Sequence, residues 1–423
     1  MMRNGRCSRQ RNRSKATHTV SHASRQEYVQ LRKWIKSLDS TCSIDLEPCE
    51  FKETGRGLRA NKPIHKGEII VSIPESALIT TNTVFRSDIG AILKKCVPPL
   101  SPQRVLSIFL VWEWEKGTTS SWYPYIQTLP STFSTPLYFT RQELERLPPS
   151  VYVRSISEQT RVQDIFASIR DFLQKHVSDF KAFTYERFRW AWCVVNTRSV
   201  YVKIQESPYL SLMERETNVA LAPYLDLLNH SAEAKLQVEA RVNEESGRYE
   251  IVTADEYQKY DQVFIHYNPY SNDELFIEYG FTLPHNPFNV YELTTADLVI
   301  LRHKLSVDNW DRKMEIIGEM KLKNDLTCRT DGMAWNLHTL LRIFAMSCEE
   351  LNNWRVIYTS EVSQENEVRA LSFAKVLLQE ALVKINKYLV SERDALSEHE
   401  KLALTLVQDK KHLLEQTLDG LLK

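Results

Sequence analysis

The chain has 423 residues, and its basic and acidic side chains balance at 54 each. That balance excludes a global electrostatic pull toward nucleic acid or membrane, so any such contact needs a local patch. Hydrophobic residues at 43% and charged residues at 26% fit a globular chain long enough for two or three domains.

Residues 1–25 are basic. Arg3, Arg6, Arg9, Arg11, Arg13, Lys15 and Arg25 all precede the first acid, Glu27. Two readings stand: a nuclear-import or nucleic-acid-touching tail, and a disordered, solvated one. No apolar stretch follows the charges, so no secretory signal is expected. No apolar run is long enough to suggest a membrane span. Cys7, Cys42, Cys49, Cys96, Cys193, Cys328 and Cys348 are scattered, without a CxxC pair. Neither a metal centre nor a disulfide framework is expected, and reduced thiols in an intracellular compartment are.

An N-terminal helix is predicted within 26–43, with Tyr28, Leu31, Trp34, Ile35 and Leu38 at helical spacing over Gln26 to Leu38. From Cys49 to Ile79, glycines and prolines punctuate short apolar stretches, which predicts strands and tight turns. A helical region follows, about 90–190. Ser101-Pro102 offers a cap and first turn, and Gly117 a stop. Thr140-x-x-Glu143 is a capping box, read as ended by Pro148 and Pro149. Arg161 to Phe180 carries one apolar stripe. Strands return between Val238 and Tyr267, where Leu236, Val238 and Ala240, then Tyr249, Ile251 and Thr253, alternate with polar residues. Beyond Phe281 the pattern is helical. Ser397-x-x-Glu400 opens a stripe of Leu404, Val407, Leu414 and Leu418.

Four segments carry chemistry. GRGLRA (Gly55 to Ala60) matches a dinucleotide fingerprint, but Pro63, Gly67 and a β-rich run follow where a helix is needed, so the Rossmann reading fails. The glycines serve either a strand-to-strand turn or a ligand held by main-chain groups. In WAWCVVNTRSV (Trp190 to Val200), Arg198 either caps a helix end or forks onto a ligand carboxylate. LAPYLDLLNH (Leu221 to His230) sets Asp226, Asn229 and His230 in an apolar context, where polar groups need partners. VFIHYNPYSNDELFIEYGF (Val263 to Phe281) runs from a strand through Tyr267 and a polar loop to Tyr279.

In this order, the motifs resemble the SET-domain methyltransferases, in the subgroup typified by the plant Rubisco large-subunit lysine methyltransferase. The resemblance implies an α+β fold: a SET domain over 44–280, with small β-sheets in a knot-like threading and a helical insert. An all-α substrate-binding domain over 281–423 is also implied. It further implies main-chain contacts to S-adenosyl-L-methionine around Gly57 and Arg59, and pairing of Arg198 with the methionine carboxylate. Thr197 stands where relatives often have serine and keeps the hydroxyl. Asn229 and His230 would hold the amino group and adenine, supported by Asp226. Tyr267 would be the catalytic tyrosine, in contact with the cofactor. Tyr224, Tyr279 and Phe281 would line a lysine channel. No zinc-binding segment is expected.

The activity implied is methyl transfer to lysine in a protein substrate, histone or non-histone. Expected with it are a monomer in cytoplasm and nucleus and no direct nucleic-acid or membrane site. Two alternatives stay open: a histidine acceptor, and a catalytically silent scaffold that binds proteins. A hydrolase using Asp226, His230 and a serine lacks the GxSxG elbow.

Overall fold

The computed structural model describes residues 19–42, 44–177, 180–203, 206–212, 219–236, 241–305, 307–389 and 396–421. Most of the basic tail, together with Val238 and Ala240, lies outside the described residues. The chain divides into two compact units, Met1–Phe133 with Gln159–Pro269, and Ser134–Glu158 with Tyr270–Lys423.

In the first unit, strand β1 (Val20–Ser21) precedes helix α1 (Gln26–Leu38), which buries Tyr28, Leu31 and Ile35 at the spacing the sequence set. Strands β2 (Leu46–Phe51), β3 (Gly55–Ala60) and β4 (Ile69–Pro74) follow. Among the helices that follow are α2 (Pro102–Glu115), α3 (Tyr123–Ile126), α4 (Pro149–His176) and α5 (Tyr185–Arg198). Then come β5 (Ser199–Tyr201), β6 (Val219–Leu221), β7 (Asn229–His230), β8 (Arg241–Asn243), β9 (Arg248–Val252) and β10 (Gln262–Ile265). The sheet that carries the motifs has the order β1-β2-β3-β10-β7. Its last pair is parallel, with Phe264 opposite Asn229 and Ile265 opposite His230. Parallel pairing brings the two polar motifs out at the same end of neighbouring strands.

Ser101 occupies the N-cap position of α2 in an extended conformation, but its hydroxyl makes no capping bond. Pro102 fills the first turn, where a missing N–H costs nothing. Pro149 does not end a helix. It opens α4, whose buried stripe includes Val162, Ile165, Phe166, Ile169 and Leu173, and the boundary between units falls inside that helix. Its fixed φ suits a first turn, which is why the same residue reads as a breaker from one side and a starter from the other.

In the second unit, Thr140 and Glu143 form the expected capping box at the short helix Arg141–Leu144. Phe139, Leu144, Leu147 and Val151 pack with Phe276, Ile277, Ala403 and Leu406 in one apolar cluster. Gly280 ends the turn Leu275–Tyr279 at φ +79, and a Cβ there would stand 2.6 Å from the Ser134 carbonyl carbon, so only glycine fits. Helices α6 (Thr295–Leu305), α7 (Trp310–Glu319), α8 (Trp335–Ala345), α9 (Gln364–Asn386) and α10 (Glu398–Gly420) build the larger core. The Ser397 capping box is formed, and α10 buries Val407 and Leu414 as read, with Leu404 and Leu418 only half-buried. The C-terminal region is helical but not all-α. Strands β11 (Val290–Glu292), β12 (Thr327–Arg329) and β13 (Gly332–Met333) make a small antiparallel sheet. Two or three residues are too few to display an alternation, so periodicity passed over them.

Candidate active site

The glycines of GRGLRA are not simply turn residues. Gly55 begins β3 at φ +67, while Gly57 lies within the strand opposite Cys49. A Cβ on Gly57 would stand 2.8 Å from Asn229 Nδ2 and 2.6 Å from Gln262 Nε2. The close approach has a purpose, because Asn229 Nδ2 donates to the Arg56 carbonyl at 3.0 Å and to the Thr54 carbonyl at 3.3 Å. Gly57→Ala is therefore expected to displace the Asn229 amide and to cost about 1–3 kcal/mol by overpacking. Urea denaturation measures the loss, and an unchanged midpoint would refute it.

Arg198 ends α5, and its Nη1 donates to the Asp226 carbonyl at 3.0 Å and to Asp226 Oδ2 at 3.2 Å. The pair is buried, with side-chain exposures of 15% and 2%. Burial pushes the Asp226 carboxyl above the usual carboxylate value, against the opposing pull of Arg198. Burial also acts against the charge on Arg198, but Asp226 outweighs it and the guanidinium stays protonated. Tyr125 completes the group by donating its hydroxyl to the same Asp226 Oδ2 at 3.0 Å. Arg198 Nε is buried with no hydrogen-bond partner among the described residues.

Tyr267 follows β10. Its hydroxyl donates to the Leu228 carbonyl at 2.8 Å, and its ring stacks on His230 at 5.0 Å between centroids. Burial pushes the phenol up to about 12, with Arg198 opposing, so it stays protonated at neutral pH. The Tyr267 backbone N–H donates to His230 Nδ1 at 3.1 Å. That bond requires a lone pair on Nδ1, which suits a neutral imidazole. Burial first and His266 second hold His230 down to about 4.

A pH effect follows for stability. The folded His230 resists a proton that the unfolded chain accepts below its ordinary value of about 6.5. Stability therefore falls as pH drops from about 6.5 to about 4, by up to about 3 kcal/mol for full expression of the shift. His230→Asn, which keeps an acceptor near Nδ1, is expected to flatten this part of the profile of melting temperature against pH. An identical slope in both proteins would exclude His230 as the source.

The structure thus gathers Gly57, Arg198, Asp226, Asn229, His230 and Tyr267 into one bonded region. The side chains of the other expected residues make separate contacts. Arg59 turns its side chain to Glu47 at 2.7 Å and over the Tyr260 ring. Thr197 spends its hydroxyl inside α5, on the Cys193 carbonyl at 2.7 Å. Tyr224, expected in a substrate channel, is 0% exposed and its hydroxyl donates to the Leu46 carbonyl at 2.6 Å. Tyr279 and Phe281 belong to the second unit, where Tyr279 faces Tyr270 at 5.8 Å and Phe281 at 6.2 Å. Sequence reasoning missed Tyr125, Arg56 and the Leu228 carbonyl. Arg56 sat inside a flagged motif, whereas Tyr125 lay in WYPYI with no signal that pointed to Asp226.

Residues 55–268 match the SET domain family, and residues 306–415 match the Rubisco LSMT substrate-binding family. SET domain-containing protein 4 of Homo sapiens is 37% identical, across 96% of this chain and 93% of its own length. An actin-histidine N-methyltransferase of Callithrix jacchus is 28% identical, across 96% of this chain and 70% of its own. The solved SET domain of LSMT bound to lysine and AdoHcy matches with a TM-score of 0.62 at 19% identity, covering 93% of this chain and 90% of that one. The fold is thus that of the SET methyltransferases, and the chain belongs to the SET-domain family.

Proposed function

We propose that this protein transfers methyl groups from S-adenosyl-L-methionine to the side-chain amine of lysine in a protein substrate, histone or non-histone. The observation that carries the reading is the bonded run from Arg198 through Asp226 to Leu228 and Tyr267, which ties an anion-binding group to a fixed phenol. Arg198, with its buried unpartnered Nε, suits the methionine carboxylate, and Asn229, packed against Gly57 and bonded to the Arg56 carbonyl, holds the GRG strand beside it. When bound, the sulfonium supplies an electrophilic methyl group.

The acceptor amine must be neutral to attack, and lysine's ordinary pKa of about 10.4 means that it first sheds a proton. None of the groups gathered at the site is placed as a base. Asp226 is committed to Arg198 and Tyr125, and His230 gives its Nδ1 lone pair to the Tyr267 N–H. Tyr267 is protonated and donates that proton to the Leu228 carbonyl, and a phenol oxygen used as a donor is also of the chemical type that accepts from an amine N–H. Tyr267 therefore orients the amine, and alignment contributes most of the acceleration, about 7–11 kcal/mol in well-oriented systems. Support for lysine comes from the solved LSMT domain, whose bound ligands are lysine and AdoHcy.

A histidine acceptor is the second reading, favoured by the likeness to actin-histidine N-methyltransferases. Incubating the protein with S-adenosylmethionine and paired Lys and His peptides, then mapping products by mass spectrometry, separates them. Methyl-lysine is expected, and methyl-histidine alone would overturn the lysine reading.

A further inference from the structure

The short helix α3 and the turn that leaves it touch both arms of the site. Tyr125 is fully buried and donates to Asp226 Oδ2 at 3.0 Å, the oxygen that Arg198 Nη1 reaches at 3.2 Å. Three residues on, the Thr128 carbonyl accepts from Arg56 Nη1 at 2.8 Å. The Arg56 carbonyl in turn accepts the Asn229 amide. The turn is closed on itself, because the Thr128 N–H and hydroxyl both donate to the Tyr125 carbonyl, at 2.9 and 2.7 Å. One rigid turn is thereby bonded to the Arg198–Asp226 pair and to the strand bearing Gly57.

We infer that Tyr125 is a positioning residue for cofactor binding, holding Asp226 Oδ2 so that Arg198 cannot close a bidentate fork on it. Guanidinium and carboxylate favour two parallel hydrogen bonds when nothing competes. In this site only Nη1 reaches the carboxylate, and a second donor, the Tyr125 hydroxyl, shares the oxygen it uses. Burial drives the Tyr125 phenol well above its ordinary value, so the donor proton is always present. The Nε edge of Arg198 consequently stays uncommitted and able to take an anion. Without the hydroxyl, Arg198 swings onto Asp226 and that edge is lost. The inference rests on the proposed S-adenosylmethionine site.

Calorimetric binding of S-adenosylhomocysteine to the full chain tests it, with melting curves run on each protein. Tyr125→Phe removes one oxygen and keeps the ring. It is expected to weaken binding about fivefold to tenfold, the scale of one ordinary hydrogen bond. In an Arg198→Lys background, where no fork can form, the same change is expected to have no effect. A Tyr125→Phe protein that binds as well as the parent overturns the inference, as does an equal loss in both backgrounds. Failure of the parent protein to bind overturns the cofactor reading and this inference with it, whereas binding by the parent with an indifferent Tyr125→Phe overturns this inference alone.

Discussion

Tyr267→Phe is expected to slow methyl transfer by roughly 10²–10³-fold, the loss seen when a single orienting group is removed from a reacting centre. Cofactor affinity is expected to change little. The substitution keeps the ring that stacks on His230 and the backbone N–H that fixes its tautomer. Only the oxygen goes, and with it the acceptor that orients the amine. The Leu228 carbonyl also loses its donor, which costs on the order of 1–3 kcal/mol of stability if no water replaces it. Single-turnover rates and calorimetric affinities together decide the matter, and a variant with parental turnover would remove Tyr267 from the chemistry.

Arg198→Ala is expected to destabilise the first unit by about 3–5 kcal/mol, because it strands a buried carboxylate. Asp226 would keep only the Tyr125 hydroxyl. The deficit has a predictable pH dependence. Burial already raises the Asp226 carboxyl in the intact protein, and losing the opposing guanidinium raises it further. An acid with a raised folded-state pKa binds protons more readily folded than unfolded, so stability is lost as pH rises above the unfolded value of about 3.9. The variant should therefore stand closer to the parent near pH 4 than near pH 8. Adding Asp226→Asn should recover part of the loss by removing the stranded charge. Urea titrations at the two pH values test both statements, and a pH-independent deficit would place the damage elsewhere.

Much of this site could be read from the chain, for reasons that differ by residue. Asp226, Asn229 and His230 announced themselves as polar groups where apolar ones were expected, and burial makes such groups seek partners, whereas Tyr267 gained a role only through the family resemblance. Capping boxes at Thr140 and Ser397 were legible because their bonds span three residues. The bond between Tyr125 and Asp226 spans 101 residues, and no local pattern encodes it. The bond that holds Tyr224 was hidden for a related reason. Its neighbours Asp226 and Asn229 look functional, but its hydroxyl is taken by a strand 178 residues earlier. The small sheet β11-β12-β13 escaped because strands of two or three residues repeat the alternation too few times to display it.

The interlock at Glu143 bears on how the protein is made. Glu143 serves its own capping box at Thr140 and also accepts from Ser397 Oγ at 2.7 Å, across 254 residues. Phe139, Leu144, Leu147 and Val151 share their cluster with Ala403 and Leu406. On a ribosome that adds roughly 5–20 residues per second, the early half of that cluster leaves the tunnel roughly 13–50 seconds before its partners exist. For that interval its apolar side chains lack the surface that finally covers them, so the nascent protein has a built-in demand for chaperone protection. A chain stopped before Ser397 would keep every residue gathered around Tyr267 and still never complete that cluster.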